Sequence, residues 1–126
     1  MHAERIGHGY RALQDAALYE RCLRERVHFE CCPKSSILTN AVPVGRVHDH
    51  PLLHFARDGA NFSLNSDDPT VIGTRLAAEY EAVRSWGLTE AHLVRANLNA
   101  ARSSFLPEDE KKELVRQLYN VYGMEE

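Results

Sequence analysis

The sequence predicts an α/β fold in which about three parallel strands alternate with helices, followed by a helical segment. Short strand-type runs near residues 5–9, 27–32 and 61–68 are separated by stretches of helical period. Beyond Pro69 the periodic segments are helical. A strand, a helix and a second strand in succession predict a βαβ unit with a right-handed crossover. The strands are therefore expected to lie parallel in one sheet.

The first βαβ unit occupies the opening third of the chain. A strand is predicted close to the start of the sequence and ends by Gly9. An amphipathic helix from Leu13 to Arg26 is predicted from apolar positions at helical spacing. Its apolar positions are Leu13, Ala17, Leu18 and Leu23. A short strand follows from Val27 to Cys32 and stops at Pro33. A loop is then expected from Ser35 to about Val47.

A second helix is predicted to begin at Pro51, because proline is favoured in the first helical turn. Asp49 or His50 would cap it, and Gly59 would end it. The last strand then covers residues 61–68. The sequence thus repeats the strand, helix and strand order.

The C-terminal part is predicted to be helical and to end each helix with a recognisable signal. Gly87 would end the first of these helices, Thr89 would cap the next, and Pro107 would open the last, which Gly123 stops. The acidic residues after Pro107 suit the positive end of a helix dipole. The predicted apolar stripes are Leu76, Tyr80 and Val83; Leu93, Ala96 and Ala100; and Leu114, Leu118, Val121 and Tyr122.

Length and charge indicate one domain that acts on a small molecule. The 126 residues carry a formal net charge of −3, and their basic residues are scattered, which argues against nucleic acid or an anionic membrane as partner. No apolar run approaches the roughly 18 residues of a membrane span, and no signal peptide is recognisable. The three cysteines, Cys22, Cys31 and Cys32, have no Cys-x-x-Cys spacing and are interpreted as reduced packing thiols. A cytoplasmic location is expected.

The strand that ends at SLNSDDP (residues 63–69) runs out into two adjacent carboxylates. Pro69 holds Asp68 in an extended conformation where the strand becomes a loop. Two carboxylates at this position need a metal, a protonated base or a histidine to neutralise them. Asp67 and Asp68 could equally be solvated turn residues, because Ser-Asp and Asp-Pro are common in turns.

Two histidine patterns are candidates for a site. His8 lies between two glycines, which let another group approach the backbone closely, although it could also be an ordinary loop histidine. His48 and His50 have the His-x-His spacing of metal ligands, but they precede Pro51 where a helix start is predicted. A weaker alternative is a self-contained metal site that combines His48, His50, His8 and Asp67.

Three stretches and a tail resemble one family in order and spacing. They are RIGHGY (residues 5–10), FECCPKSS (residues 29–36) and SLNSDDP (residues 63–69), followed by NLNAA (residues 97–101) and SSFLPEDEK (residues 103–111). These motifs resemble those of the adenosine deaminase family, and the tail is similar to the animal-type enzymes that act on free adenosine. The resemblance covers nearly the whole chain.

The resemblance implies that the fold is the C-terminal part of a (β/α)₈ TIM barrel. Residues 1–69 would supply the last barrel strands and helices, and residues 70–126 the C-terminal helices, in a single partial domain. A whole barrel needs at least about 200 residues. The chain is therefore expected to be a piece, or a partial gene model, of a larger deaminase.

The resemblance also implies a function, which is the zinc-dependent hydrolytic deamination of adenosine and 2'-deoxyadenosine to inosine in purine metabolism. Asp67 would bind the one Zn²⁺ of a complete active site, His8 would orient the attacking hydroxide, and Asp68 would hydrogen-bond the purine N7. The family's three other zinc ligands, all histidines, and its proton-donating glutamate have no matching motif here. Lys34 also stands where the animal enzymes often have tryptophan. Little or no turnover is expected from the chain alone.

A non-catalytic function is the alternative. A short isoform could serve as a binding or regulatory module that docks on the full-length enzyme through the exposed edge of its first strand. The same open edge predicts self-association.

Overall fold

The computed structural model describes residues 2–125, except for the side chains of Val44 and Arg46. Its centre is a three-stranded parallel sheet of β1 (Arg5–Gly7), β2 (His28–Cys31) and β3 (Phe62–Leu64), in the order β1-β2-β3. Ile6 lies opposite Phe29, and Phe29 lies opposite Phe62. The predicted parallel α/β arrangement is confirmed.

Seven α-helices and two 3-10 helices accompany the sheet within residues 2–125. The α-helices are α1 (Ala16–Arg24), α2 (Pro33–Leu38), α3 (Pro51–Arg57), α4 (Pro69–Ile72), α5 (Leu76–Trp86), α6 (Glu90–Arg102) and α7 (Glu108–Tyr122). The 3-10 helices are Tyr10–Gln14 and Val44–Asp49. No helix in this range is both long and apolar enough to cross a membrane.

Aromatic side chains build the core between the sheet and the helices. Phe29 and Phe55 are completely buried, and their rings stack with centroids 4.5 Å apart. Phe62 is 2% exposed. Burial of a phenylalanine side chain stabilises a fold by about 1.5–3 kcal/mol, so these rings are major contributors. The core thus joins β2 and β3 to α3.

Most predicted helix ends are confirmed. The His50 side chain accepts a hydrogen bond from the Leu52 amide at 3.1 Å and caps α3, which begins at Pro51. Gly87 and Gly123 adopt the left-handed conformation at the ends of α5 and α7. These signals work because each acts on its own helical turn.

The predicted helix from Leu13 to Arg26 is wrong at its start. Residues Tyr10–Gln14 form a 3-10 helix, and α1 begins only at Ala16. Asp15 separates the two because its backbone is extended and its side chain accepts a hydrogen bond from the Leu18 amide at 3.0 Å. An aspartate that caps a helix from this position ends whatever precedes it.

The predicted loop from Ser35 to Val47 is also wrong. Residues 33–38 form α2, and residues 44–49 form a 3-10 helix. Pro33 does stop β2, but it does so as the first residue of α2, a position that proline favours. The error matters because Ser35 and Ser36 lie on α2, and both contact the site described below.

Ala17 and three larger predicted stripe residues face solvent instead of the core. Leu18 is 48% exposed, Leu76 is 50% exposed and Val121 is 77% exposed. Helical period alone places apolar residues on one face of a helix but does not decide whether a neighbouring element covers them. The cysteines, in contrast, are confirmed as free and buried.

Candidate active site

His8 is positioned by a sharp backbone turn at the carboxyl end of β1. Its amide donates to the Glu30 carbonyl oxygen at 2.9 Å, which continues the pairing with β2 by one residue. The backbone then turns, since φ is 56° at His8 and 75° at Gly9. A Cβ atom at Gly9 would lie 2.4 Å from the Phe29 ring, so this position requires glycine. The close packing behind Gly9 holds His8 at the strand end.

Asp67 is held just beyond β3 by two hydrogen bonds. Its Oδ2 atom accepts from the Ser35 hydroxyl at 2.7 Å, and its Oδ1 atom accepts from the Asp68 amide at 2.9 Å. The backbone of Asp67 is left-handed, with φ 59°. The hydrogen bond from Ser35 is the main reason why the pKa of this carboxyl lies below its ordinary value, and the Asp68 amide and His8 act in the same direction. Asp67 is therefore ionised at neutral pH.

The structure brings His8 and Asp67 together, as a shared site requires. The His8 Nε2 atom lies 3.4 Å from Asp67 Oδ2, and each side chain is 38% exposed. The other ring nitrogen, Nδ1, lies 3.4 Å from the Ser36 hydroxyl oxygen. Ser36 in turn donates to the Cys32 carbonyl at 2.5 Å and is hydrogen-bonded to the Tyr10 hydroxyl at 2.9 Å. The His8 ring is thus supported from α2 and faces Asp67.

Cys32 completes a cluster of potential metal ligands. The imidazole nitrogen of His8, the thiol sulfur of Cys32 and a carboxylate oxygen of Asp67 all lie within 4.8 Å of one another. Burial, followed by the neighbouring Asp67 carboxylate, raises the pKa of the Cys32 thiol to about 12. The thiol is therefore protonated at neutral pH and is a poor ligand beside the imidazole and the carboxylate.

The cluster lies in an open cleft of about 590 Å³ at the carboxyl ends of the three strands. Its wall includes the Arg5 and Glu30 side chains, which form an ion pair of 2.7 Å. Arg5 also donates to the Ser103 carbonyl oxygen at 2.6 Å. The carboxyl edge of a parallel sheet is where ligand sites of α/β proteins are usually built.

Asp68 is close in sequence but has a different environment. Its Oδ1 atom accepts from the Thr70 and Val71 amides at 3.0 and 3.1 Å and caps α4. Its backbone is extended, as Pro69 predicts, with φ −83° and ψ 103°. Asp68 is not among the residues that line the cleft. Its role toward a substrate stays a prediction.

Sequence reasoning missed the groups that orient the cluster. Ser35 and Ser36 were expected in a loop, although a proline followed by serines is a helix-start signal that could have placed them. Glu79 of α5 is fully buried and accepts from the Lys34 amide at 3.0 Å and from the Thr74 hydroxyl at 2.9 Å. It therefore anchors the first turn of α2 from another helix, which no local pattern reveals.

The alternative metal site with His48 and His50 is wrong. His50 is completely buried, stacks on Trp86 with centroids 4.9 Å apart and uses Nδ1 to cap α3. His48 is exposed. Within the described part of the chain, the cluster with metal-ligand spacing contains neither of them. The His-x-His pattern here reflects the start of a helix.

Comparison with known proteins identifies the family model and the relatives that the chain matches. The family model for adenosine deaminase matches residues 1–121. The adenosine deaminase of Danio rerio is 50% identical over 123 residues, which cover 97% of this chain and 34% of that protein. The adenosine deaminase of Bos taurus is 50% identical over 122 residues, which cover 96% and 33% respectively. This chain spans about a third of the length of these curated relatives.

Solved structures agree on the fold. Adenine deaminase from Arthrobacter aurescens superposes with a TM-score of 0.85 at 30% identity, over 95% of this chain and 36% of that one. A zinc-bound amidohydrolase from Burkhoderia ambifaria gives 0.84 at 23% identity, over 95% and 34%, a likeness of fold alone. The predicted fold, part of a TIM barrel followed by helices, is confirmed. With nearly its whole length matched by the family model and by relatives at about half identity, the chain belongs to the adenosine deaminase family.

Proposed function

We propose that this chain supplies the carboxyl-end part of a zinc site that deaminates adenosine and 2'-deoxyadenosine to inosine and 2'-deoxyinosine. The observation that carries the proposal is the convergence of His8 and Asp67, with Nε2 and Oδ2 3.4 Å apart, in the cleft at the strand ends. Membership of the adenosine deaminase family supports the reaction.

The hydrogen bonds of His8 leave room for a shared proton or cation. If Nδ1–H donates to Ser36, the Nε2 atom of the neutral ring presents a lone pair to the ionised Asp67 carboxylate. A proton, a water molecule or a cation between or beside these two atoms would offset their repulsion. A metal with a coordinated water meets that need.

The donor set fits zinc in part. Asp67 would hold the metal through its carboxylate, and His8 offers an imidazole that suits zinc or its water. Zinc, when bound, makes hydroxide available near neutral pH by lowering the pKa of water. A catalytic zinc takes three protein ligands, whereas the described residues bring one carboxylate and one imidazole to this point, beside a protonated thiol. This shortage is why we propose little or no turnover by the chain alone.

The residues of the chain act on the water and on the purine. His8 would orient the attacking oxygen toward C6 of the purine ring and hold its proton at Nε2. Asp68 would hydrogen-bond the purine N7 through its Oδ2 atom, since its Oδ1 is committed to α4. Water adds at C6 and ammonia leaves, so adenosine and water give inosine and ammonia. The family's proton-donating glutamate has no matching motif in this sequence, which is the second reason why we propose little or no turnover by the chain alone.

Complementation tests this proposal. The purified chain is mixed, with zinc, with the portion of Danio rerio adenosine deaminase that it does not match, and inosine formation is measured. The mixture is expected to form inosine, and Asp67→Ala or His8→Ala is expected to lower the rate by about 10²-fold or more. Asp58→Ala, outside the cleft, is the matched control. Equal rates for Asp67→Ala and the control would refute the proposed site.

A second candidate function is docking through the open edge of the sheet. β1 pairs with β2 on one side, and a groove of about 600 Å³ runs beside it between α1 and residues 102–106. Leu18 and Phe105 line the groove and are 48% and 78% exposed. A strand whose outer edge has no partner strand, and which lies beside exposed apolar side chains, is a template for strand addition.

Light scattering separates the two functions. A monomer that unfolds cooperatively and yields no active complementation mixture would favour a binding module. An oligomer that Gly7→Pro converts to a monomer would favour self-association through β1. The backbone groups of Glu4 and His8 pair with β2, so the alternating Gly7 amide faces the open edge, and proline removes that donor.

A further inference from the structure

A buried histidine that the proposed chemistry does not use lies at the start of β2, the central strand of the sheet. His28 of β2 is completely buried, and both of its ring nitrogens have partners on or next to β3. Nδ1 lies 2.8 Å from Asn61 Oδ1, and Nε2 lies 2.8 Å from Ser63 Oγ. Each of these partners has further contacts that decide where the protons are.

The Asn61 contacts define the tautomer of His28. Asn61 Nδ2 donates to the Arg26 carbonyl oxygen at 2.8 Å, and a carbonyl can only accept. Asn61 therefore turns its Oδ1 atom toward His28, so that Nδ1 of the ring must carry a hydrogen. Burial lowers the pKa of His28, which keeps the ring neutral. Nε2 is then an acceptor and receives the Ser63 hydroxyl hydrogen.

The direction of the Ser63 hydroxyl hydrogen in turn orients the side chain of Asn65 at the edge of the cleft. Because its hydrogen points to His28, Ser63 Oγ is free to accept, and Asn65 Nδ2 lies 3.2 Å away. The same Nδ2 group donates to the Cys31 carbonyl oxygen at 3.1 Å, which joins the ends of β2 and β3. The amide is thus oriented by two acceptors. Its Oδ1 atom accepts no hydrogen bond from the described residues, and Asn65 lines the cleft.

We propose that His28 is a positioning residue that, through Ser63, holds the Asn65 side chain with its carbonyl oxygen toward the cleft as a hydrogen-bond acceptor for an N–H or O–H group of the ligand. The proposal rests on the proposed function only for the identity of that ligand, a nucleoside. Asn65 would act in binding, and His28 and Ser63 would act through it.

The other proton arrangements of His28 disrupt this series of hydrogen bonds. With a hydrogen on Nε2, the ring donates to Ser63 Oγ, and the Ser63 hydroxyl hydrogen loses its acceptor in a buried position. The Ser63 hydroxyl would then have to donate toward Asn65, whose Nδ2 group is itself a donor and cannot accept. The orientation of Asn65 therefore depends on the neutral Nδ1–H tautomer.

NMR of the ¹⁵N-labelled 126-residue chain at pH 7 tests the proton order without any ligand. The expected result is a neutral His28 ring with hydrogen on Nδ1. Hydrogen on Nε2, or on both nitrogens, would overturn the proposal, because Ser63 could not then orient Asn65 as described.

The variant Ser63→Ala tests the connection to Asn65. The His28 ring should keep its tautomer through Asn61, while the Asn65 side-chain amide hydrogens should exchange with water at least about 10-fold faster. Ser104→Ala is the matched control, because Ser104 donates to the Ala101 carbonyl and does not touch the chain of contacts. Unchanged exchange at Asn65 in a folded Ser63→Ala protein would refute the positioning role.

Adenosine binding tests the acceptor role. Inosine formation by the complementation mixture, measured over a range of adenosine concentrations, should give a KM at least about 5-fold higher for Asn65→Ala and for Ser63→Ala than for Ser104→Ala. Equal KM values would overturn the acceptor role while leaving the proposed function intact. Failure of the unsubstituted mixture to form inosine would instead reject the proposed function and the ligand contact of Asn65 together, with the NMR result still deciding the role of His28.

Discussion

The sheet and the last helix differ in how far they bury polar residues. Around the sheet, His28 and Ser36 are completely buried and Ser63 is 3% exposed, and each has hydrogen-bond partners. In α7, no residue is buried. Burial of a polar group costs free energy unless partners replace water. The difference shows that the polar interior lies around the sheet and the elements packed on it, whereas α7 is a largely solvated cover.

Equivalent substitutions should therefore have unequal effects in the two regions. We expect the largest effect for Phe29→Ala in β2, because the ring is completely buried and stacked on Phe55. Its loss should lower the free energy of unfolding by about 3–5 kcal/mol. Val121→Ala in α7 should change it by less than about 0.5 kcal/mol, since Val121 is 77% exposed. Urea denaturation measures both. Similar losses would contradict the contrast.

Acid should destabilise the chain through His50. Burial lowers the pKa of this imidazole from 6.5 to about 4 in the folded protein. Between these values the unfolded chain binds the proton and the folded one does not, so stability falls as the pH drops from about 6.5 to about 4. The loss should reach at most about 3 kcal/mol.

Denaturation at several pH values measures this loss. His50→Asn, which retains an N-cap acceptor, should have a smaller slope, and His28, whose pKa burial also lowers, should account for part of what remains. His48→Asn, at an exposed position, should keep the original slope. A His50→Asn slope equal to that of the unsubstituted chain would show that His50 is not the buried group responsible.

Two left-handed glycines sharpen the comparison further. Gly9→Ala would place a Cβ atom 2.4 Å from the Phe29 ring at a φ of 75°, so strain and overpacking should together cost about 2–3 kcal/mol. Gly123→Ala at the end of α7 has a φ of 62° but no atom within 4 Å of the new Cβ, so about 1 kcal/mol is expected from strain alone. Thermal unfolding distinguishes them. Equal losses of stability for the two variants would mean that the Phe29 ring can move away from the new Cβ atom.

A small effect is expected at the start of α6, which packs against both β3 and α7. Thr89 accepts a hydrogen bond from the His92 amide at 3.3 Å, and His92 accepts one from the Thr89 amide at 3.1 Å. Thr89→Ala should cost about 1 kcal/mol, and Thr89→Ser should restore most of it. Denaturant midpoints measure the difference. If serine does not restore stability, the methyl group and not the cap is responsible.

Features that depend on one helical turn could be predicted from the sequence. The start of α3 at Pro51, the cap at Thr89 and the glycine ends at Gly87 and Gly123 all follow from local hydrogen bonding. The same locality explains a failure. The apolar period continues through Asp15 and predicts one longer helix, although the Asp15 side chain caps α1.

The candidate site could be predicted only in outline. The motifs that contain His8 and Asp67 marked both residues, and the structure places them 3.4 Å apart. The contacts of Ser35 and Ser36, the buried Glu79 and the protonated thiol of Cys32 were not predictable, because each depends on residues distant in sequence. The spacing of His50 is compatible with both a metal ligand and a helix cap. Only its burial against Trp86 excludes it as a metal ligand.

The sequence by itself determined the family, the parallel α/β class and the helix ends, because motif order and capping residues are properties of short segments. Only the tertiary structure decided which polar side chains meet. The register of three parallel strands brings the ends of β1, β2 and β3 to one edge and turns His28 toward Ser63. That register results from the packing of the whole core, and no short segment contains it.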